Sequence, residues 1–250
     1  MKFTLRQVVG AGACDPSGRL SVLGALTLVE DMVTAAMAKM RIDGMTTRRE
    51  YGALMVFSKN HLRFLQPIYW QDEITVTCFV ASQSAVRMQM DVCVKKAGAI
   101  AMYARTEICA VDEQSARIRR LDSVGVGKQV RPVRPLLDLV WTPLDGEGKL
   151  IDTVTVRTGN IDYAGHTNNV EYIRLLLNTF TLDEWRGMAP CDLQVAYLSQ
   201  SFLGDKLSIY SHDRQIDADS GDNIQPAATH ERLFTVKKDT QDVLRCAIRW

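Results

Sequence analysis

The feature that most constrains this chain is that it resembles itself. Asp15-Pro16-Ser17-Gly18-Arg19-Leu20-Ser21 aligns with Asp162-Tyr163-Ala164-Gly165-His166-Thr167-Asn168 at a spacing of 147 residues. Further on, Phe64-Leu65, Tyr69, Asp72 and Ile74 align with Tyr197-Leu198, Phe202, Asp205 and Leu207 at 133, and Arg105 and Ile108 with Arg245 and Ile248 at 140. A single such match is cheap, but three in the same order indicate an internal duplication. The drop from 147 to 133 gives the first half about fourteen extra residues, expected at 41–51 (RIDGMTTRREY). The 250 residues therefore divide into two similar modules, expected at 1–125 and 148–250, with a linker at 126–147.

The approach to that linker is basic, with Arg117, Arg119, Arg120, Lys128, Arg131 and Arg134 against Asp112, Glu113 and Asp122. Pro132, Pro135 and Pro143 follow within twelve residues, and proline neither continues a helix nor donates to a strand ladder, so an extended connector is expected. Its charge offers two readings: a docking surface for an acidic partner, or an ordinary solvated linker.

Each half reads the same way. A short strand (2–9 and 151–157) leads into an Asp-x-x-Gly turn and then a helix. In the first helix Leu23, Leu26, Val33, Met37 and Met40 recur at helical spacing, with alanines between them. In the second, Val170, Ile173, Leu176, Leu177 and Phe180 do the same. A helix apolar nearly all round is a buried one. Strand-like runs follow at 53–66, 73–82, 85–95 and 99–111, then at 192–202, 206–215, 230–237 and 242–249, rich in Val, Ile, Thr and aromatics. One buried helix followed by an antiparallel sheet, twice over, is an α+β arrangement.

A net charge of +1 argues against a broadly basic nucleic-acid binder, and no apolar run approaches the roughly 18–20 residues of a membrane span. The six cysteines have neither C-x-x-C spacing nor a histidine cluster, so they read as free thiols of a reducing, cytoplasmic setting; no metal or cofactor is implied. The apolar stretch Val8–Ala13 is shorter than a signal-peptide core, so the start of the chain reads as mature protein.

The densest chemistry lies at 157–172, where Asn160, Asp162, His166, Asn168 and Asn169 crowd the mouth of the second helix. Gly165 permits a tight turn, Asn168 or Thr167 can cap the helix, and first-turn N–H groups can receive a developing oxyanion. Asp162 can hold or activate a water. The alternative is that Asp162 is a turn-and-cap residue and His166 structural. Glu30 falls on the apolar stripe of the first helix, where it either lines a pocket or reaches a polar partner. His61 reads as structural within its strand-like run, and His212 and His230 flank a polar stretch (213–231) that looks like a long hairpin loop.

The run Asp162-x-x-Gly165-His166-x-Asn168-Asn169-x-x-Tyr172 resembles the signature of hot-dog-fold thioesterases. With the duplication, the proline-containing linker and the segment 57–74, the chain resembles the acyl-acyl-carrier-protein thioesterases, which are tandem double hot dogs. The resemblance implies Asp162 and His166 as catalytic residues. It places Ala164 where the family usually has Asn, and Gln200 where it has a strand-borne Glu. Alanine offers no hydrogen bond, and glutamine orients water without accepting a proton. Hydroxybenzoyl-CoA-type thioesterases use Asp-x-x-Gly at this turn without the Asn, and Asp162, Gly165 and His166 are similar to that pattern.

The implied activity is hydrolysis of fatty acyl-acyl carrier protein, or acyl-CoA, to a free fatty acid in fatty acid biosynthesis, by a pseudo-dimeric monomer or a homodimer. Asp162, His166 and Gln200 are then the catalytic set, with Gly165, Thr167, Asn168 and Asn169 positioning carbonyl and substrate. Asp15 and Gly18 mark a second or vestigial site, and Leu23, Leu26, Glu30 and Met37 line the acyl pocket. The alternative is a double hot dog that binds acyl thioesters without hydrolysing them.

Overall fold

The computed structural model describes residues 2–127, 130–146, 148–216 and 228–250. Lys128 and residues 217–227, most of the expected hairpin loop, lie outside the described residues. In the first half β1 (Lys2–Val8) is followed by α1 (Val22–Lys39), α2 (Gly44–Tyr51), β2 (Ala53–Phe64), β3 (Glu73–Gln83), β4 (Arg87–Lys96), β5 (Ala99–Asp112) and the short β6 (Ile118–Arg119). The second half repeats the plan with β7 (Lys149–Thr155), α3 (Asn169–Leu177), α4 (Leu182–Gly187), β8 (Asp192–Tyr197), β9 (Lys206–Gln215), β10 (His230–Lys238) and β11 (Gln241–Arg249).

The strands form one antiparallel sheet in the order β1-β3-β4-β5-β2-β8-β11-β10-β9-β7, with β6 beside β5. Read from the two ends, the halves have the same order, and they meet where β2 pairs β8. Asn60 stands opposite Val195, and Leu62 opposite Leu193. At the 133-residue spacing these two pairs exchange, so a pseudo-two-fold axis passes between them. Alternation turns Ile74, Val76, Cys78 and Val80 of β3 and Met88, Met90, Val92 and Val94 of β4 toward the helices, where all are buried. Leu26, Val29, Val33 and Met37 of α1 and Ile173, Leu176 and Leu177 of α3 complete that core.

The helix caps match across the repeat. Ser21 caps α1 by accepting the Gly24 amide, and Asn168 caps α3 by accepting the Val170 amide. The extra length differs from the expectation of a simple insertion at 41–51. Part of it is α1 itself, which has 18 residues where α3 has nine. Residues 44–51 form α2, whose counterpart is α4. Helix-favouring Ala35, Ala36, Met37 and Ala38 carry α1 two turns beyond the point where Asn178 ends α3. At the third match the sheet register sets Met102 and Leu244 opposite Phe64 and Tyr197, two residues longer in spacing than the Arg105–Arg245 alignment.

The linker is a strap laid along the outer face of the sheet. Val133 donates its amide to the Val80 carbonyl at 2.8 Å, and Leu136 donates to the Tyr103 hydroxyl at 3.0 Å. Val133, Leu137 and Leu139 cover Phe79, Cys93 and Tyr103. Farther along, Trp141 lies against His61 and Thr142 donates its amide to Gln194 at 3.0 Å. The sequence reads this stretch as a connector from Pro132, Pro135 and Pro143, which bar helix and central strand alike, and a strap laid on one surface needs neither.

Candidate active site

The Asp-x-x-Gly turn is built the same way in both halves. Asp162 Oδ1 accepts the backbone amides of Ala164 (2.8 Å) and His166 (3.1 Å), and Asp15 Oδ1 accepts those of Ser17 (2.8 Å) and Arg19 (3.1 Å). Gly165 and Gly18 carry φ of +84° and +78°, the left-handed conformation that the turn needs. One Asp162 oxygen is thus committed to the loop, as in the turn-and-cap reading. Tyr163, at the tip, lies over Gly44 so closely that a Cβ there would meet its hydroxyl, which docks α2 against the turn.

This geometry decides which amides of the turn are free. The amides of Gly165 and His166 are consumed: Gly165, expected to position the carbonyl, donates to the Asp162 carbonyl at 3.1 Å, and His166 donates to the Asp162 side chain. Thr167 donates to the Ser201 carbonyl, Asn168 to the Asn160 carbonyl, and Val170 to the Asn168 cap. Between Ala164 and Tyr172, the amide of Asn169 is the one with no acceptor among the described residues. It sits in the first turn of α3, where the helix leaves orphan donors and a partial positive charge.

The Asn169 side chain comes beside Glu30 of α1, from across the molecule. Asn60 of β2 donates Nδ2 to Glu30 Oε1 at 3.0 Å, and the Tyr197 hydroxyl of β8 lies beside the same carboxyl, 3.5 Å from Asn60 Nδ2. Thr106 of β5 fixes the Asn60 amide by donating to its Oδ1 at 2.7 Å, so the Asn60 NH₂ must face Glu30. Burial pushes the Glu30 carboxyl up to about 8, against the pull of the hydrogen bonds from Asn60, Asn169 and Tyr197. Burial and the neighbouring Glu30 raise the Tyr197 phenol well above its usual range. Glu30, Asn169 and Tyr197 each keep partial exposure, so the cluster opens on accessible space.

The pseudo-two-fold axis makes this cluster informative. The counterparts of Glu30, Asn60, Thr106, Asn169 and Tyr197 are Leu177, Leu193, Ile248, Val22 and Phe64. At these five positions one helix mouth is polar and contains an acid, where its twin is apolar. The twin, beside Asp15, opens on a cavity of about 220 Å³ lined in part by Arg19, Phe64, Pro67, Tyr69 and Pro190. Arg19, in the place of His166, is held by Asp15 and by the Met188 carbonyl at 2.7 Å.

Other expected residues fall differently. Gln200 is exposed on the loop after β8, because the strand ends at Tyr197 and not near 202. Its neighbour Ser201 is the one tied to the helix mouth, bonding the Thr167 and Tyr172 hydroxyls at 2.7 and 2.6 Å. Thr167 is therefore buried and occupied. The His166 ring stands edge-on to Phe202 at 5.2 Å between centroids. Leu26 and Met37 are sealed in the core, leaving Leu23 and Glu30 as the partly exposed members of the expected acyl pocket. Sequence reasoning missed Asn60, Thr106 and Tyr197. The available signal was a polar side chain at position 60 on the strand face that Leu62 and Phe64 make apolar.

The acyl-ACP thioesterase C-terminal domain family matches residues 145–248, and the thioesterase-like superfamily matches residues 9–134. The chain belongs to the acyl-ACP thioesterase family, within that superfamily. The fold is accordingly the tandem double hot dog. An acyl-ACP thioesterase from Bacteroides thetaiotaomicron superposes with a TM-score of 0.74 at 16% identity, covering 99% of this chain and 97% of the other. The 12:0-ACP thioesterase from Umbellularia californica superposes with 0.80 at 13% identity, covering 100% and 93%. No curated protein sequence matches the chain. Membership and fold support thioester hydrolysis in general. Among the described residues, no helix is long and apolar enough to cross a membrane.

Proposed function

We propose that this acyl-ACP thioesterase family member hydrolyses fatty acyl thioesters carried on acyl carrier protein, releasing free fatty acid in the cytoplasm. The observation that carries the reading is the difference between the two helix mouths: at five corresponding positions around Glu30 one is polar and acid-bearing while its twin is apolar. Asn169 offers an unoccupied amide at the positive end of α3, suited to a thioester carbonyl as it becomes an oxyanion. Asp162, through its two turn hydrogen bonds, fixes the loop that precedes this amide, and His166 stands at the same mouth. Gln200 keeps only a role at the rim, given its exposure.

The test is release of free thiol from acyl carrier protein loaded with C8 to C18 chains, beside the matching acyl-CoA series. Turnover is expected, with higher kcat/KM on the carrier-protein substrates. Tight acyl binding with no turnover on either series would instead support the non-hydrolytic reading.

A further inference from the structure

We infer that Glu30, supplied by the first half of the chain, is the general base for the hydrolytic water at the second half's helix mouth. This rests on the thioester-hydrolysis reading above and assigns its proton chemistry to a residue of the other half. Three observations carry it. First, Asn60 donates to Glu30 at 3.0 Å and Thr106 locks it in that donating orientation, while the Asn169 side chain and the Tyr197 hydroxyl, from two further elements, lie beside the carboxyl. Such a shell holds a carboxylate in place without a cation to neutralise it. Second, Asn169 joins the two functions, because its side chain lies beside Glu30 while its backbone amide has no acceptor among the described residues. An acceptor of protons and a donor to an oxyanion therefore share one residue as neighbour. Third, the pseudo-two-fold counterparts of all five polar residues are apolar, so the fold does not require the cluster. An acid placed in a core without structural need is expected where chemistry uses it.

Ionised Glu30 takes a proton from water as the water oxygen bonds the thioester carbonyl carbon, and the carbonyl oxygen gathers charge toward the Asn169 amide. The carbon–sulfur bond then breaks. The thiolate takes the proton back from Glu30, leaving a carboxylic acid and a free thiol. Other titratable groups facing Glu30 are Asp31 on its own helix, which raises it slightly, and the Tyr197 phenol on β8; Tyr172 and Cys246 lie behind Tyr197. Burial raises both phenols and the thiol, so all three remain neutral through pH 9.

The experiment compares wild type and Glu30→Gln in thiol release from acyl-acyl carrier protein between pH 6 and 9.5, with thermal unfolding to confirm that both are folded. Wild-type kcat/KM is expected to rise with pH and level off above about 8. Glu30→Gln is expected to lose on the order of 10²–10⁴-fold in kcat and to lose that rise, with Glu30→Asp intermediate. A folded Glu30→Gln enzyme within about threefold of wild type, rising with pH in the same way, overturns the assignment and leaves thioester hydrolysis standing. A wild type inert on every thioester overturns the hydrolytic reading and this assignment with it.

Discussion

Asp192→Asn is expected to destabilise the protein by about 3–5 kcal/mol, the largest effect of any single change outside the helix-packed core. Asp192 is the hub of the seam between the halves, on the outer face of the sheet. His61 Nε2 lies 2.6 Å from its Oδ2, Arg63 Nε 3.1 Å from the same oxygen, and Arg249 Nη1 2.6 Å from Oδ1. Along this cross-strand row Arg63, Asp192, Arg249, Glu231 and Arg214 stand side by side on five strands with alternating charge. Burial alone would raise the Asp192 carboxyl, but His61, Arg249 and Arg63 hold it below its usual value. Asparagine keeps the shape and removes the counterion that Arg63 and Arg249 share, while Arg249 keeps its pairing with Glu231. Equilibrium unfolding in urea measures the cost, and a loss below about 1 kcal/mol would show that solvent or Glu231 replaces the pairing. His61 thus has the structural role expected of it, as a partner of Asp192 under Trp141.

Glu30→Gln is expected to be more stable than wild type in alkaline solution, whatever it does to catalysis. An acid raised from 4.5 to about 8 on folding binds its proton more tightly in the native state between those values. Its contribution to stability is therefore fully present at low pH, falls as pH rises from about 4.5, and levels off above about 8. At roughly 1.4 kcal/mol per pH unit, ionised Glu30 costs on the order of 4–5 kcal/mol at the upper end. Glutamine cannot ionise, so the advantage of the variant should grow across that window and be small near pH 5. Parallel unfolding curves at pH 5, 7 and 9 check this. An equal difference at all three would mean that Glu30 ionises in the folded protein as it does in water. Such a cost, retained in a core whose other mouth dispenses with it, is the stability penalty typical of working sites.

Much of the fold was legible because it repeats. Period-two alternation and the strand-rich runs placed the bounds of β2 through β5 and β9 through β11 within two residues. The Asp-x-x-Gly turns were legible because only glycine readily takes their positive φ, and both Ser21 and Asn168 announce a helix start. The site was less so. Asn60, Thr106 and Tyr197 reach Glu30 only through the β2–β5 and β2–β8 pairings, and cross-strand register is a long-range property that no local window contains. The order of amide occupancy around Asp162 was hidden for the opposite reason: it is too local. Whether a turn amide is free or taken by the Asp162 side chain depends on side-chain rotation, not on residue type. Carrying the repeat to individual positions would have found the site, since Asn60 against Leu193 and Glu30 against Leu177 are visible once the spacings are known.

The most direct measurement is the structure of this protein with acyl carrier protein bearing a non-hydrolysable amide analogue of its acyl thioester. The carbonyl oxygen is expected within hydrogen-bond reach of the Asn169 amide, its carbon facing the Glu30 cluster. An acyl group seated at the other mouth, in the cavity between Arg19, Phe64 and Tyr69, would contradict the assignment of the polar mouth as the site of hydrolysis.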